Sequence, residues 1–294
     1  MIITEGNPII RHKFTADPTA IVFNDIVYLY TGHDEAAENE NNYVMNEWLC
    51  FSSANLTSWD EHPVPLKPTD FSWASGDAYA SKIIFHKNRF YWFVAVSNKA
   101  GKKAIGLAVS DDPAGPFKDA IGAPLITHDM LPRSTNDKAN LDPTVLIDDD
   151  ESIHIFWGNG LCYHAQISDD LTKLKSEIEV VELPGFAEGA NIHKKNDWYY
   201  LSYGYGAPER VAYAMSKNIN GPWEFKGILN EFAGNAETNR PCVIEFKDKD
   251  YFFNHNGGLP GGGSHRRSVC VDHMYYNEDG TIKKVIMTTE GLLA

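Results

Sequence analysis

Apolar residues fall in short alternating or aromatic-rich runs along the whole chain: IVYLY (26–30), RFYWFVAV (89–96), SIHIFW (152–157), WYYLSYGY (198–205) and DYFFNH (250–255). Turn-forming residues bound each run, a pattern of strands rather than helices. The best helical candidate is 170–182, and its apolar spacing is irregular. The runs also repeat. Asp17-Pro18-Thr19 opens an apolar strand that leads through a polar turn to IVYLY, and Asp142-Pro143-Thr144 opens another that leads to SIHIFW. Weaker copies are ASKIIFHKNRFYWF (80–93), EGANIHKKNDWYYL (188–201) and NRPCVIEFKDKDYFF (239–253).

A second pattern lies between the copies: SSANLTSW (52–59), VSDDPAGPF (109–117), ISDDL (167–171) and MSKNINGPW (215–223). Each reads as a further strand ending in Ser, a tight turn, and then, in three of the four, an aromatic residue. A period of roughly 45–65 residues without helices points to blades around an axis. A lone four-stranded sheet exposes two faces, and stacking five in a circle buries them. The chain therefore predicts an all-β, five-bladed β-propeller forming one domain over 1–294. The competing arrangement is a two-sheet sandwich.

Charge narrows the partners. The formal charge of −14 repels phosphate backbones and anionic lipids, which argues against nucleic-acid and membrane-surface binding. The longest apolar run, 90–96, is far too short to span a bilayer. The N-terminus, MIITEGNPIIRHKF, has no basic segment followed by an apolar one, so a cytoplasmic location is expected. Cys50, Cys162, Cys242 and Cys270 lie far apart with no CxxC pair, which excludes a zinc ribbon and predicts reduced core thiols.

In a propeller, residues at one repeat position converge on one mouth of the central channel. Three copies open with a carboxylate: Asp17, Asp142 and Glu188. Crowded carboxylates repel, so at least one pKa is expected to be raised. A proton-holding acid and an ionised base flanking one bond is the arrangement for glycoside hydrolysis.

The segments ADPTA, NLDPTVLIDDD, FAEGANIH and GGGSHRRSVCVD together resemble glycoside hydrolase family 43 across nearly the whole chain. The resemblance implies a five-bladed propeller of inverting enzymes acting on xylose- and arabinose-containing glycans. It implies Asp17 as general base, Asp142 as pKa modulator and orienting group, and Glu188 as general acid. Trp73, in FSWASGDAYASK, is similar to the family's pocket-wall tryptophan. In the last repeat, His265 and Arg267 share one face of a strand. Arg267 is expected to bond a sugar hydroxyl or to lower the pKa of a neighbouring carboxylate, the competing reading being an internal salt bridge. Some members hold a hydrated divalent cation through a histidine of this segment, a role carried here to His265, with calcium favoured over zinc. No organic cofactor is expected. The implied partner is an oligosaccharide, and the implied activity is β-D-xylosidase, with α-L-arabinofuranosidase or a dual activity as the alternative and a non-catalytic sugar-binding propeller behind both.

Overall fold

The computed structural model describes residues 1–134 and 136–293. Five antiparallel sheets follow one another along the chain, and each is a blade, I to V. The two inner strands of every blade are one copy of the sequence repeat: Thr15–Phe23 with Ile26–His33, Ser81–His86 with Arg89–Asn98, Thr144–Ile147 with Ile153–Trp157, Phe186–Lys195 with Trp198–Tyr205, and Cys242–Phe246 with Lys249–Asn256. Polar two-residue turns join several of these pairs. In Asn24-Asp25, Lys87-Asn88 and Lys247-Asp248 both residues have positive φ, the geometry that matches the twist of a tight hairpin.

The second sequence pattern has a local cause. The strands Trp48–Ser53, Lys103–Ser110 and Arg210–Ser216 each end in a serine whose Oγ accepts a turn N–H. Leu56 donates to Ser53 at 2.7 Å, Asp112 to Ser110 at 3.1 Å and Asn218 to Ser216 at 3.1 Å. Segment 170–182 is not helical. Leu171 is buried at a turn, Leu174 bridges Ile167, and Glu179–Val181 is the outer strand of blade III. Its irregular leucine spacing serves a turn and a strand edge, not a helix face.

The hydrophobic cores lie between blades. Tyr30 and Trp48 of blade I pack with Trp92 of blade II, Phe93 of blade II with Ile155 and Trp157 of blade III, and Tyr213 of blade IV with Phe252 of blade V. Each such fully buried large side chain contributes about 1.5–3 kcal/mol, so the sheets are stable only as a stacked ring. The four cysteines are buried and unpaired, as the sequence predicts.

Blade V has three strands, the outermost being Ser268–Met274. The N-terminal segment covers that strand and closes the ring. Ile9 N–H donates to the Val269 carbonyl at 2.9 Å, and the Asn7 side chain both donates to Val271 O (3.1 Å) and accepts from Val271 N–H (2.9 Å). Ile2–Ile3 meanwhile pairs with Ser58–Glu61 of blade I.

Candidate active site

The innermost strands do not enter the channel mouth as regular ladders. The register of blade I slips between Ala16 and Thr19, and that of blade IV slips on both sides of Glu188. Such bulges turn a side chain out of the sheet. Asp17 and Asp142 sit at φ of 52° and 57°, the left-handed region that aspartate tolerates better than most residues, and each precedes a proline. In blade IV that backbone role falls to Gly189, at φ 70°. A Cβ there would lie 2.7 Å from Arg240 Nη1, so only glycine lets the guanidinium approach.

The three predicted carboxylates meet at that guanidinium. Arg240 Nη2 pairs with Glu188 Oε1 and lies 3.1 Å from Asp142 Oδ2, while Nε lies 3.7 Å from Asp17 Oδ1. Nη1 pairs with a fourth carboxylate, Glu209, at 2.9 Å. The Gly189 N–H donates to Asp142 Oδ2 at 2.8 Å, tying blades III and IV together. Asn159 Nδ2 donates to Glu188 Oε2 at 2.5 Å. Arg267 chelates Asp34 (Nε–Oδ2 2.8 Å, Nη2–Oδ1 3.0 Å) and reaches Asp17 Oδ1 at 3.0 Å. Both guanidiniums face Oδ1 of Asp17, and among the described residues none bonds Oδ2.

Five carboxylates, four of them buried and Glu188 partly exposed, therefore share two guanidiniums, an excess of negative charge that favours holding protons. Burial, joined by the charges of Glu188 and Asp17, pushes Asp142 up to about 7 although Arg240 opposes it. Burial alone would raise Glu188 as well, but the charge and hydrogen bond of Arg240, aided by Asn159, outweigh it and hold Glu188 below the usual range. The raised carboxyl expected from crowding is thus at Asp142. His255 lies fully buried beside Asp17. Its Nδ1 accepts the Asp17 N–H at 3.1 Å, which assigns the ring proton to Nε2, where it faces Thr238 O at 3.0 Å. Burial first, then the two arginines, keep this ring neutral.

These groups floor a cavity of about 170 Å³ whose walls include Tyr43, Tyr79, Lys103 and Lys138. Beneath it, the prolines and threonines after each Asp narrow the channel to about 20 Å³, room for about one water. Trp73 is outside the cavity. Its indole N–H donates to Asp119 Oδ2 at 3.1 Å, and its ring packs on Phe71 and over Gly106 within blade II. Tyr43 and Tyr79 supply the aromatic wall in its place.

His265 does not fit the expected cation site. Its ring packs edge-on against Tyr43 at 4.6 Å, and among the described residues no group of three His, Cys, Asp or Glu side chains is arranged for a metal. The histidine near the axis is His255, and both its nitrogens are engaged by the chain.

Arg240 was not anticipated from the sequence, although the repeat contains the signal. The openings read Asp-Pro-Thr, Asp-Pro-Thr, Glu-Gly-Ala and Arg-Pro-Cys, so Arg240 holds in blade V the place the acids hold in blades I, III and IV. Ala80 holds it in blade II.

Comparison with known proteins gives a consistent picture. The model of the family described as glycosyl hydrolases family 43 matches residues 5–282. A xylosidase/arabinosidase of Humicola insolens is 30% identical, the match covering 94% of this chain and 98% of that one. A β-xylosidase/α-arabinofuranosidase from a compost microbial metagenome, crystallised with xylotriose in a calcium-free form, superposes with a TM-score of 0.87 at 26% identity, covering 97% of this chain and 98% of the other. An α-L-arabinofuranosidase of Clostridium thermocellum superposes with a TM-score of 0.80 at 29% identity, covering 96% and 97%.

Proposed function

The chain belongs to glycosyl hydrolase family 43, and from that premise we propose that it removes terminal β-D-xylose from xylo-oligosaccharides by a single displacement. It is a glycoside hydrolase that releases pentoses, and its family inverts the anomeric centre. The observation that carries the mechanism is the convergence of Asp17, Asp142 and Glu188 on Arg240 at the floor of one cavity.

Asp17 is the base. Its Oδ2 takes a proton from a water that attacks the anomeric carbon. Glu188 is the acid and delivers its proton to the departing glycosidic oxygen. Asp17 meets Nε of Arg240 and Glu188 meets Nη2, so base and acid reach the same cavity from separate nitrogens of one guanidinium. Asp142 does not touch the leaving bond. Through Arg240 and Gly189 it fixes the position and charge of Glu188. Sugar hydroxyls meet a polar wall in which Lys103 Nζ bonds Tyr79 Oη at 3.0 Å and Asp77 Oδ2 at 2.9 Å. No cation enters this scheme, because the axial histidine has no free lone pair to offer.

α-L-Arabinofuranosidase activity is the second reading, favoured by relatives carrying that name. Nitrophenyl β-D-xyloside and α-L-arabinofuranoside, run beside xylo- and arabino-oligosaccharides, separate the two. Higher kcat/KM on the xylose series supports the proposal. Turnover of arabinofuranosides alone replaces it with the alternative, and affinity without turnover on every substrate contradicts both.

A further inference from the structure

Glu209 takes no part in the scheme above, yet it is one of the most constrained carboxyl groups in the molecule. It lies in the turn between Trp198–Tyr205 and Arg210–Ser216 and is buried. Its own N–H donates to the Glu237 carbonyl at 2.8 Å. Its Oε2 accepts the Asn239 N–H at 3.0 Å and the second edge of Arg240 at 2.9 Å. The Asn239 side chain is in turn held by Asn230 Oδ1 at 2.8 Å. Gly204 makes the space: a Cβ there would lie 2.7 Å from Glu209 Oε2 and 3.1 Å from the Glu188 carbonyl oxygen. A glycine thus seats the Glu209 carboxyl against the strand that carries the acid.

We propose that Glu209 is a positioning residue for proton delivery: it and Glu188 hold one proton between them beside Arg240, and Glu209 stores that proton before substrate binds. This rests on Glu188 being the general acid. The charged groups facing Glu209 are Arg240, Glu188 and Asp142. One guanidinium already contacts Glu188, Asp142 and Asp17, so it cannot balance a fourth anion. Burial, with the Glu188 and Asp142 charges, pushes Glu209 up to about 8 against the pull of Arg240 and the Asn239 N–H. Glu188 and Glu209 occupy adjacent nitrogens, Nη2 and Nη1, of one guanidinium. Two carboxyl groups held that close can share a hydrogen bond only when one is protonated. The proton balance closes over a turnover. The Glu209 proton passes to Glu188 and then to the leaving oxygen, Asp17 takes one from the attacking water, and after product release Asp17 returns its proton to solvent while the pair regains one.

Removing the last proton from the pair sets two anions side by side, so its upper pKa belongs to both groups. Glu209→Gln leaves a single titrating carboxyl. The basic limb of the kcat/KM profile on nitrophenyl β-D-xyloside should then move down by about one pH unit or more, and the loss on xylobiose should exceed the loss on the activated glycoside. Glu209→Asp, which keeps two carboxyls, should restore the limb. If the Gln variant does not fold, Gly204→Ala displaces the same carboxyl and should move the limb the same way. An unmoved limb with equal losses on both substrates overturns the proposal and makes Glu209 a packing residue. Failure of the underlying reading is distinct: Glu188→Gln would then show no dependence on the leaving group.

Discussion

Replacing Arg240 with methionine tests the electrostatic centre of the site. The guanidinium is buried and touches Glu188, Asp142, Glu209 and Asp17, and among the described residues the other cation paired with this cluster, Arg267, reaches just one of these. Removing one partner of a buried ion cluster costs about 3–5 kcal/mol at neutral pH. At about 2 °C per kcal/mol for a chain of this length, the melting temperature should fall by roughly 6–10 °C. The pH dependence follows from the directions of the shifts. Glu188 is held low by Arg240, so it stabilises the fold above its ordinary pKa, and that stability disappears as pH falls through its folded value. Asp142 and Glu209 are raised, so they favour the fold at low pH and weaken it as pH rises through their folded values. Without Arg240 the Glu188 contribution vanishes and the other two rise further. The gap in melting temperature between wild type and variant should therefore widen from pH 5 to pH 8 in thermal scans. A gap that is constant with pH, or below about 2 °C throughout, would falsify the view that Arg240 balances buried ionised carboxylates.

Glu188→Gln should cripple hydrolysis of xylobiose while leaving much of the rate on a dinitrophenyl xyloside, because a good leaving group needs no acid; equal losses would remove Glu188 from that role. Trp73→Phe should leave KM unchanged and lower stability by about 1 kcal/mol, the value of one lost hydrogen bond to Asp119; a large rise in KM would return Trp73 to the sugar-binding wall. Stripping divalent cations should leave kcat on an aryl xyloside unchanged, because His255 has both nitrogens engaged; a loss restored by calcium would show that its ring turns away from Asp17 to bind the ion.

The parts of this molecule that repeat were legible from its sequence, and the parts that break the repeat were not. Each strand–turn–strand copy became the inner hairpin of a blade, because alternation, polar two-residue turns and terminal serines act locally. The three acids followed from their common place in the repeat. Arg240 shares that place but not their chemistry, so its residue type does not mark it as part of the set. Glu209 and Asp34 lie away from that place, and only the closed ring brings them to the site. Trp73 and Trp48 look alike as residues, and nothing in the local pattern says that both rings pack against the blades and neither lines the cavity. His265 and His255 differ in the same way. The glycine-rich stretch 257–263 turns the chain between them, leaving His255 beside Asp17 and His265 against Tyr43. The three-stranded blade V also had no local signal, since its missing edge is covered by residues 7–9 from the far end of the chain.

Whether one water, activated by Asp17, displaces the sugar in a single step is most directly read by proton NMR of the first sugar released from a β-D-xyloside. The account predicts α-xylose at first, with the β-anomer growing only as mutarotation proceeds. Initial appearance of β-xylose would require a covalent sugar–enzyme intermediate, and the assignment of Asp17 as base would be lost.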